Sequence, residues 1–340
     1  MLFPPLPRNI EASFRDLASE RPDVRAAAIG DVVRHARTGP DLHARAALAV
    51  PPLLADASSD VRAAAAVAVA DLGVTEAVPR LLLLSSDDDG LVRQMAISAL
   101  GELADPRALP RLEHALRDPR PDVRYQAVIA FTRVSSDAEA NDRALLRALS
   151  DDDRAVVHIA LRSAEQRHDE GTAPSDALVE RACALIRDDN PDVSLAAAIL
   201  AAKRGRAEAH PVLLRAVHRA WPGSPPGREE EQAAVELVGI LGLAEAIPAL
   251  ERRAFGLGRL VRETCSFSAT IALAALGHEK GRRTLLAGLS SRDAEQRRAA
   301  IVGVGRARVA EARAHLEALL GGTDTDVASE ALRALGPAPG

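Results

Sequence analysis

A short motif returns along almost the whole chain and restricts its architecture more than any other feature. Pro22-Asp23-Val24-Arg25 recurs as Ser59-Asp60-Val61-Arg62, Gly90-Leu91-Val92-Arg93, Pro121-Asp122-Val123-Arg124 and Pro191-Asp192-Val193-Ser194. It returns again as Arg259-Leu260-Val261-Arg262 and Thr325-Asp326-Val327-Ala328. With the valine as anchor, and weaker anchors at Val156, Glu230 and Gln296, the copies fall every 31 to 37 residues. Self-similarity at this period marks a solenoid, in which each unit buries its apolar face by stacking on its neighbours. Length alone, 340 residues, would suggest two domains. A solenoid removes that need, because it grows without a second core.

Four residues after each anchor stands a small residue: Ala28, Ala65, Ala96, Ala127, Ala160, Ala197, Ala234, Cys265, Ala300 and Ala331. Size restricted at one offset implies a crowded helix interface. About a fifth of the chain is alanine while aromatics make up 2%, so close helix contacts replace large anchoring side chains. Each unit reads as two helices. The first begins near Asp-Val-Arg, with the aspartate expected at or near the N-cap and a preceding proline that cannot continue an earlier helix. It is expected to end at glycines such as Gly73, Gly101, Gly242 and Gly277. The second opens on a proline such as Pro79 or Pro110.

The stretch from Val92-Arg93-Gln94-Met95-Ala96 through Gly101-Glu102-Leu103-Ala104-Asp105-Pro106 to Pro110-Arg111-Leu112 resembles the HEAT-repeat family, in its bacterial HEAT-like, or PBS-lyase-like, branch. The resemblance implies an all-α fold, a right-handed α-solenoid (superhelix) of about ten helix pairs. It covers residues 10–336 as one array between tails 1–9 and 337–340, with one helix of each pair lining a concave face. It also implies an inter-repeat hydrogen-bond ladder built from Asp23, Asp60, Asp122, Asp192 and Asp326 with Arg25, Arg62, Arg93, Arg124 and Arg262. Only Ala220-Trp221-Pro222-Gly223-Ser224-Pro225-Pro226-Gly227 breaks the rhythm; a protruding loop or a kink is expected at 220–230.

The formal net charge is −5 and the sequence pI about 6.0. Both signs are interspersed, unlike the basic footprint of a nucleic-acid binder. Cys183 and Cys265 stand far apart and read as small buried hydrophobes. The first eight residues lack a signal-peptide pattern, and no apolar run reaches membrane-spanning length, so a cytoplasmic protein with no membrane partner is expected. The alanine, arginine and aspartate bias suits a bacterium with GC-rich coding. No nucleophile elbow, P-loop or dinucleotide fingerprint occurs. Glu113-His114 and His278-Glu279 are too few for a di-iron site. One Trp and one Tyr are too few for the base-holding groove of a HEAT-like DNA glycosylase. The bilin-lyase branch shares the repeat alone. No catalytic residue, metal ligand or cofactor is therefore assigned.

Equal offsets in successive repeats line up across a solenoid. Two residues past the anchor the stripe reads Gln94, Tyr125, His158, Leu195 and Gln232, with Arg162 one turn beyond His158. Tyrosine is enriched in binding hot spots, so these residues are the candidate partner contacts. Trp221, preceded by His210, Arg215, His218 and Arg219, is the second candidate and would suit an acidic peptide. The chain is thus expected to be a non-catalytic scaffold or adaptor holding a protein or peptide on its concave face. It would be a monomer or a weak end-to-end oligomer. The alternatives are an enzyme or enzyme-maturation factor of the bilin-lyase or hydroxylase kind, and a HEAT-like DNA-binding protein.

Overall fold

A computed structural model describes residues 9–256 and 265–337. The tail 1–8 and the motif copy at 259–262, with Glu263 and Thr264, lie outside the described residues. Among the described residues there are twenty α-helices and no strand, and the fold class is an all-α solenoid of stacked helix pairs. Contacts group the chain into two compact units, Met1–Leu178 and Val179–Gly340.

In the first unit, α1 (Ile10–Asp16) precedes four pairs: α2 (Pro22–Ala36) with α3 (Pro40–Ala49), α4 (Ser59–Asp71) with α5 (Val78–Leu84), α6 (Gly90–Leu103) with α7 (Leu109–Ala115), and α8 (Pro121–Val134) with α9 (Ala138–Ala148). The unit closes on α10 (Arg154–Asp169), and α11 (Asp176–Leu185) spans the boundary. The first helix of each pair, called A, packs on the A helix of the next, α2 to α4 to α6 to α8 to α10. The second unit repeats the design. Its A helices are α12 (Pro191–Lys203), α14 (Arg228–Ile240), α16 (Ser266–Ala275), α18 (Ala294–Arg306) and α20 (Thr325–Leu335). Its B helices are α13 (His210–His218), α15 (Ile247–Phe255), α17 (Glu279–Gly288) and α19 (Arg313–Ala318).

The small residues four past each anchor are all buried: Ala28, Ala65, Ala96, Ala127, Ala160, Ala197 and Ala234 have no exposed surface. The A helices stack through these positions, and any larger side chain there would push two backbones apart. Helix starts follow the expected chemistry with one shift. Pro22, Pro121 and Pro191 open their helices, so the aspartate of the motif sits at the second helical position rather than at the N-cap. Where a polar cap is used it lies two residues before the motif's aspartate position: Asp89, Asp153 and Asn190 each accept two backbone N–H groups. Gly73 and Gly242 end their helices with φ of +64° and +71°, which only glycine adopts freely. Gly101 does not end α6 as expected. It lies buried inside the helix, where a Cβ would come within 2.5 Å of the Ala130 Cβ on α8. Glycine is needed there for close approach, and the left-handed residue after the helix is Ala104.

The arginines of the motif form the ladder, but with different acids from those expected. Arg25 reaches Asp56 through two hydrogen bonds of 2.8 and 2.6 Å. Arg62 reaches Asp87 at 2.9 and 2.8 Å, Arg93 reaches Asp118 at 2.8 and 3.1 Å, and Arg124 reaches Asp151 at 2.7 Å twice. The remaining guanidinium nitrogen of each donates to backbone carbonyls just before its own helix, for example Arg93 to Asp87 at 2.8 Å and Asp88 at 3.1 Å. Each acid stands in the turn five residues before the next anchor, where its carboxylate also accepts a backbone N–H two residues on, as Asp118 does from Arg120 at 3.0 Å. Asp56, Asp87 and Asp118 thus receive one arginine on the carboxylate and the next on the carbonyl. Asp23 and Asp122 instead pair locally with Arg21 and Arg120 at the surface, and Asp192 accepts the Gly227 N–H at 2.7 Å. Of the expected acids, Asp326 does accept from an arginine of the preceding A helix, Arg298 at 2.7 Å. In the second unit Arg297, one residue past the weak anchor Gln296, makes a similar rung with Asp324 at 2.7 Å, although this acid lies three rather than five residues before the next anchor.

Candidate functional site

The A-helix face of the first unit carries a groove of about 770 Å³ between α8 and α10. Its floor is Ile129 and Thr132 from α8 and Ile159 from α10, and its walls carry Arg133, Arg162, Glu165 and Arg167. One side of the groove is the polar C-terminal half of α10, from Arg162 to Asp169; at 16 residues α10 is the longest helix among the described residues. Arg162 donates to Glu165 at 2.5 Å, one turn along; burial of that carboxylate is offset by the guanidinium. A second, shallower trough of about 430 Å³ lies between α2 and α4, floored by Ile29, Val33 and Ala68 and rimmed by Arg34 and Arg37.

Of the residues expected from the sequence to contact a partner, the structure brings only Arg162 into the larger groove. Gln94, Tyr125 and His158 are half-buried on their A helices and do not line it. Leu195 has no exposed surface, so it belongs to the core and is withdrawn as a contact. The cause lies in its helix: every residue from 193 to 202 of α12 is buried, and a helix apolar all round has no partner-facing stripe. Gln232 is exposed at the start of α14. Arg133, Glu165 and Arg167 were missed. The offsets six and nine or ten past the anchor, shared by Ile129 with Arg162 and by Arg133 with Gln166, were the signal that would have found this face.

Trp221 is half-buried in a separate groove of about 610 Å³ within the second unit. Arg215 lies over its ring at 5.5 Å, and Arg219 is engaged by Glu231 at 2.9 Å. The bases expected to receive an acidic peptide are thus partly occupied, and Asp188, Asp189 and Glu208 also line this groove. The buried Pro226 and the Gly227–Asp192 hydrogen bond tie the loop 220–227 to α12. Cys265 is buried and Cys183 half-buried; burial, assisted by Glu208, pushes the Cys183 thiol pKa up, which disfavours the reactive thiolate. Among the described residues no three His, Cys, Asp or Glu side chains converge as a metal site. No helix among them is long and apolar enough to cross a membrane.

These features define the class: an α-solenoid of stacked helix pairs with an open groove on the A helices of its first unit. Residues 46–132 match the family described as HEAT repeats, a span running from α3 into α8. Among solved structures the chain is similar to Escherichia coli YibA, at 17% identity over 78% of this chain and 92% of that one, with a TM-score of 0.54, which shows the shared fold. It also aligns with an engineered protein at 18% identity, covering 96% of this chain and 98% of that one, TM-score 0.43. The complex of CpcE and CpcF of phycocyanin lyase from Nostoc sp. PCC7120 aligns at 16% identity over 79% and 95%, TM-score 0.45. These last two superpose too loosely to bear on function. No curated protein matches the chain.

Proposed function

We propose that this chain is a non-catalytic scaffold that holds another protein on the A-helix face of its first unit. The observation that carries this function is the 770 Å³ groove between α8 and α10, a pre-formed concavity with an apolar floor and polar walls. Such a surface binds with little ordering of its own backbone, and it is built on helices fixed by the arginine ladder rather than on loops. The fold itself decides nothing about chemistry. The two free thiols suit a reducing, cytoplasmic setting.

Affinity capture of the tagged chain from its source cells, read by mass spectrometry, tests the proposal against two variants. Ile159→Glu places a charge on the groove floor; Tyr125→Ala with His158→Ala alters the neighbouring stripe. A partner held by the wild type and lost with Ile159→Glu, at unchanged helicity, supports this face. A partner held by all three forms moves the site, first to Trp221. Absence of any specific partner, or turnover of a substrate by the purified chain, would sink the scaffold assignment.

A further inference from the structure

A solenoid repeat touches only its immediate neighbours, so stacking alone does not restrain the distance from one A helix to the next but one. The second unit departs from that rule at α16. Arg306, in the last turn of α18, donates from Nη1 to both carboxylate oxygens of Glu236 on α14, at 2.9 and 3.2 Å. α14 and α18 pack on opposite sides of α16, and the Ser268 hydroxyl of α16 donates to the same carboxylate at 2.8 Å. The contact closes over α16: Ser268 and Ile271 are 2% and 3% exposed, whereas Arg306 stays half in water. Two glycines let the helices come this near. A Cβ on Gly239 of α14 would lie 2.6 Å from the Ala272 Cα of α16, and one on Gly303 of α18 would lie 3.1 Å from the Phe267 ring and 3.5 Å from Ile271.

We propose that Glu236 and Arg306 form a salt-sensitive latch that sets the spacing of α14 and α18 and holds the A-helix face of the second unit closed over α16. An ion pair half in water is too weak, and too easily screened, to decide whether the chain folds. The spacing of two helices that do not touch is a softer quantity, resisted only by the two interfaces between them, and a weak contact placed there biases it. The geometry gives the latch a direction. The pair forms only while α14 and α18 lean together in front of α16, so its loss lets them part and uncovers Ser268 and Ile271. A partner reaching this face of α16 has first to displace Arg306, whereas the α8–α10 groove of the first unit is open as it stands.

The test is a distance measurement by double electron–electron resonance on the full chain. Cys183 and Cys265 are replaced by alanine, and spin labels are attached at Ile240→Cys on α14 and Ala310→Cys in the turn after α18, both exposed positions. With Glu236 and Arg306 intact, low salt should give one narrow distance, and about 1 M salt should lengthen and broaden it. Arg306→Gln should produce the same shift at low salt. Glu236→Gln, which keeps an acceptor for Ser268, should do so as well, and salt should add nothing further to either variant. A distance that responds neither to salt nor to Arg306→Gln would overturn the latch. A shift seen with Glu236→Gln but not with Arg306→Gln would also overturn it, because the spacing would then rest on the Ser268 hydrogen bond. Circular dichroism confirms the fold of each variant, and the salt series needs no substitution at the pair itself.

Discussion

Arg306 donates from Nη1 to Oε2 of Glu236 at 2.9 Å across 70 residues of chain. The pair links α18 to α14, the two A helices that flank α16, and Ser268 on α16 donates its hydroxyl to the same carboxylate at 2.8 Å. Three successive A helices therefore share one acid. Arg306 is half-exposed, at 54%, whereas the Ser268 residue is 2% exposed, so the two contacts are unequal. Glu236→Ala should destabilise the chain by about 1–2 kcal/mol, chiefly by stranding the buried hydroxyl. Arg306→Ala should cost less than about 1 kcal/mol, because water and salt screen its charge. Urea unfolding of both variants checks the order.

The ladder in the first unit should be far less tolerant. Arg93 is half-buried, bonds Asp118 through both prongs of its fork and also holds the carbonyls of Asp87 and Asp88. Removing it leaves a carboxylate and two carbonyls short of donors. Arg93→Ala should cost about 3–5 kcal/mol, and Arg93→Lys should recover little, since an ammonium cannot match the fork. Equilibrium denaturation read by circular dichroism measures both; equal stability of the lysine variant and the wild type would contradict the fork geometry.

The same rungs set a pH dependence. The Arg25 hydrogen bond is the main cause that holds the Asp56 pKa below the ordinary 3.8, with burial opposing and the Ser58 N–H assisting. For Asp87, Asp118 and Asp151 burial is the largest influence and pushes the pKa up. It is outweighed by the partner arginine together with the turn N–H groups, so these carboxyls too lie below 3.8. A carboxyl with a lower pKa folded than unfolded adds stability that is complete above the unfolded value and is lost as pH falls through the folded one. Unfolding free energy should therefore hold steady near neutrality and drop below about pH 4. Asp56→Asn should be weaker at pH 7 and show a shallower acid slope, read from urea midpoints between about pH 2 and pH 7.

Gly101→Ala tests the closest A-helix contact. Alanine in an exposed helix interior normally gains about 0.5–1 kcal/mol over glycine. Here the new Cβ would meet the Ala130 Cβ at 2.5 Å and its Cα at 2.7 Å, so a loss of about 1–3 kcal/mol is expected. Adding Ala130→Gly should return part of that loss. A double-mutant cycle from thermal unfolding isolates the coupling, and additive effects would show that the two helices do not touch there.

Periodicity made the stack legible before any coordinates. The anchors locate A helices, and the restricted position four residues later is buried each time it is described. The ladder acid was harder, because aspartate is favoured both at helix starts and as an arginine partner, and the copy adjoining the anchor drew the assignment. Yet Asp56, Asp87, Asp118, Asp151 and Asp188 recur five residues before their anchors, an equally regular signal. The stripe from Gln94 to Gln232 treated every A helix as having one solvent face. That fails for α12, whose run Val193 to Ala202 contains one polar residue, Ser194, turned inward to the Ile186 carbonyl at 2.6 Å. Arg162 was found because α10 retains two distinct faces; Arg133 and Arg167 were passed over because an arginine's pairing depends on acids from a neighbouring helix.

Because each arginine of the ladder clasps the next acid and its own approach turn, every junction in the first unit presents the same socket to whatever follows. The stretch 62–92 could be excised in one piece, and Arg25 would still meet Asp56 while Arg93 took over the carbonyls that Arg62 now holds. A gene encoding such a chain can gain or lose a whole cassette without redesigning an interface. Length is then open to inheritance in discrete steps, while the grooves between cassettes diverge one residue at a time.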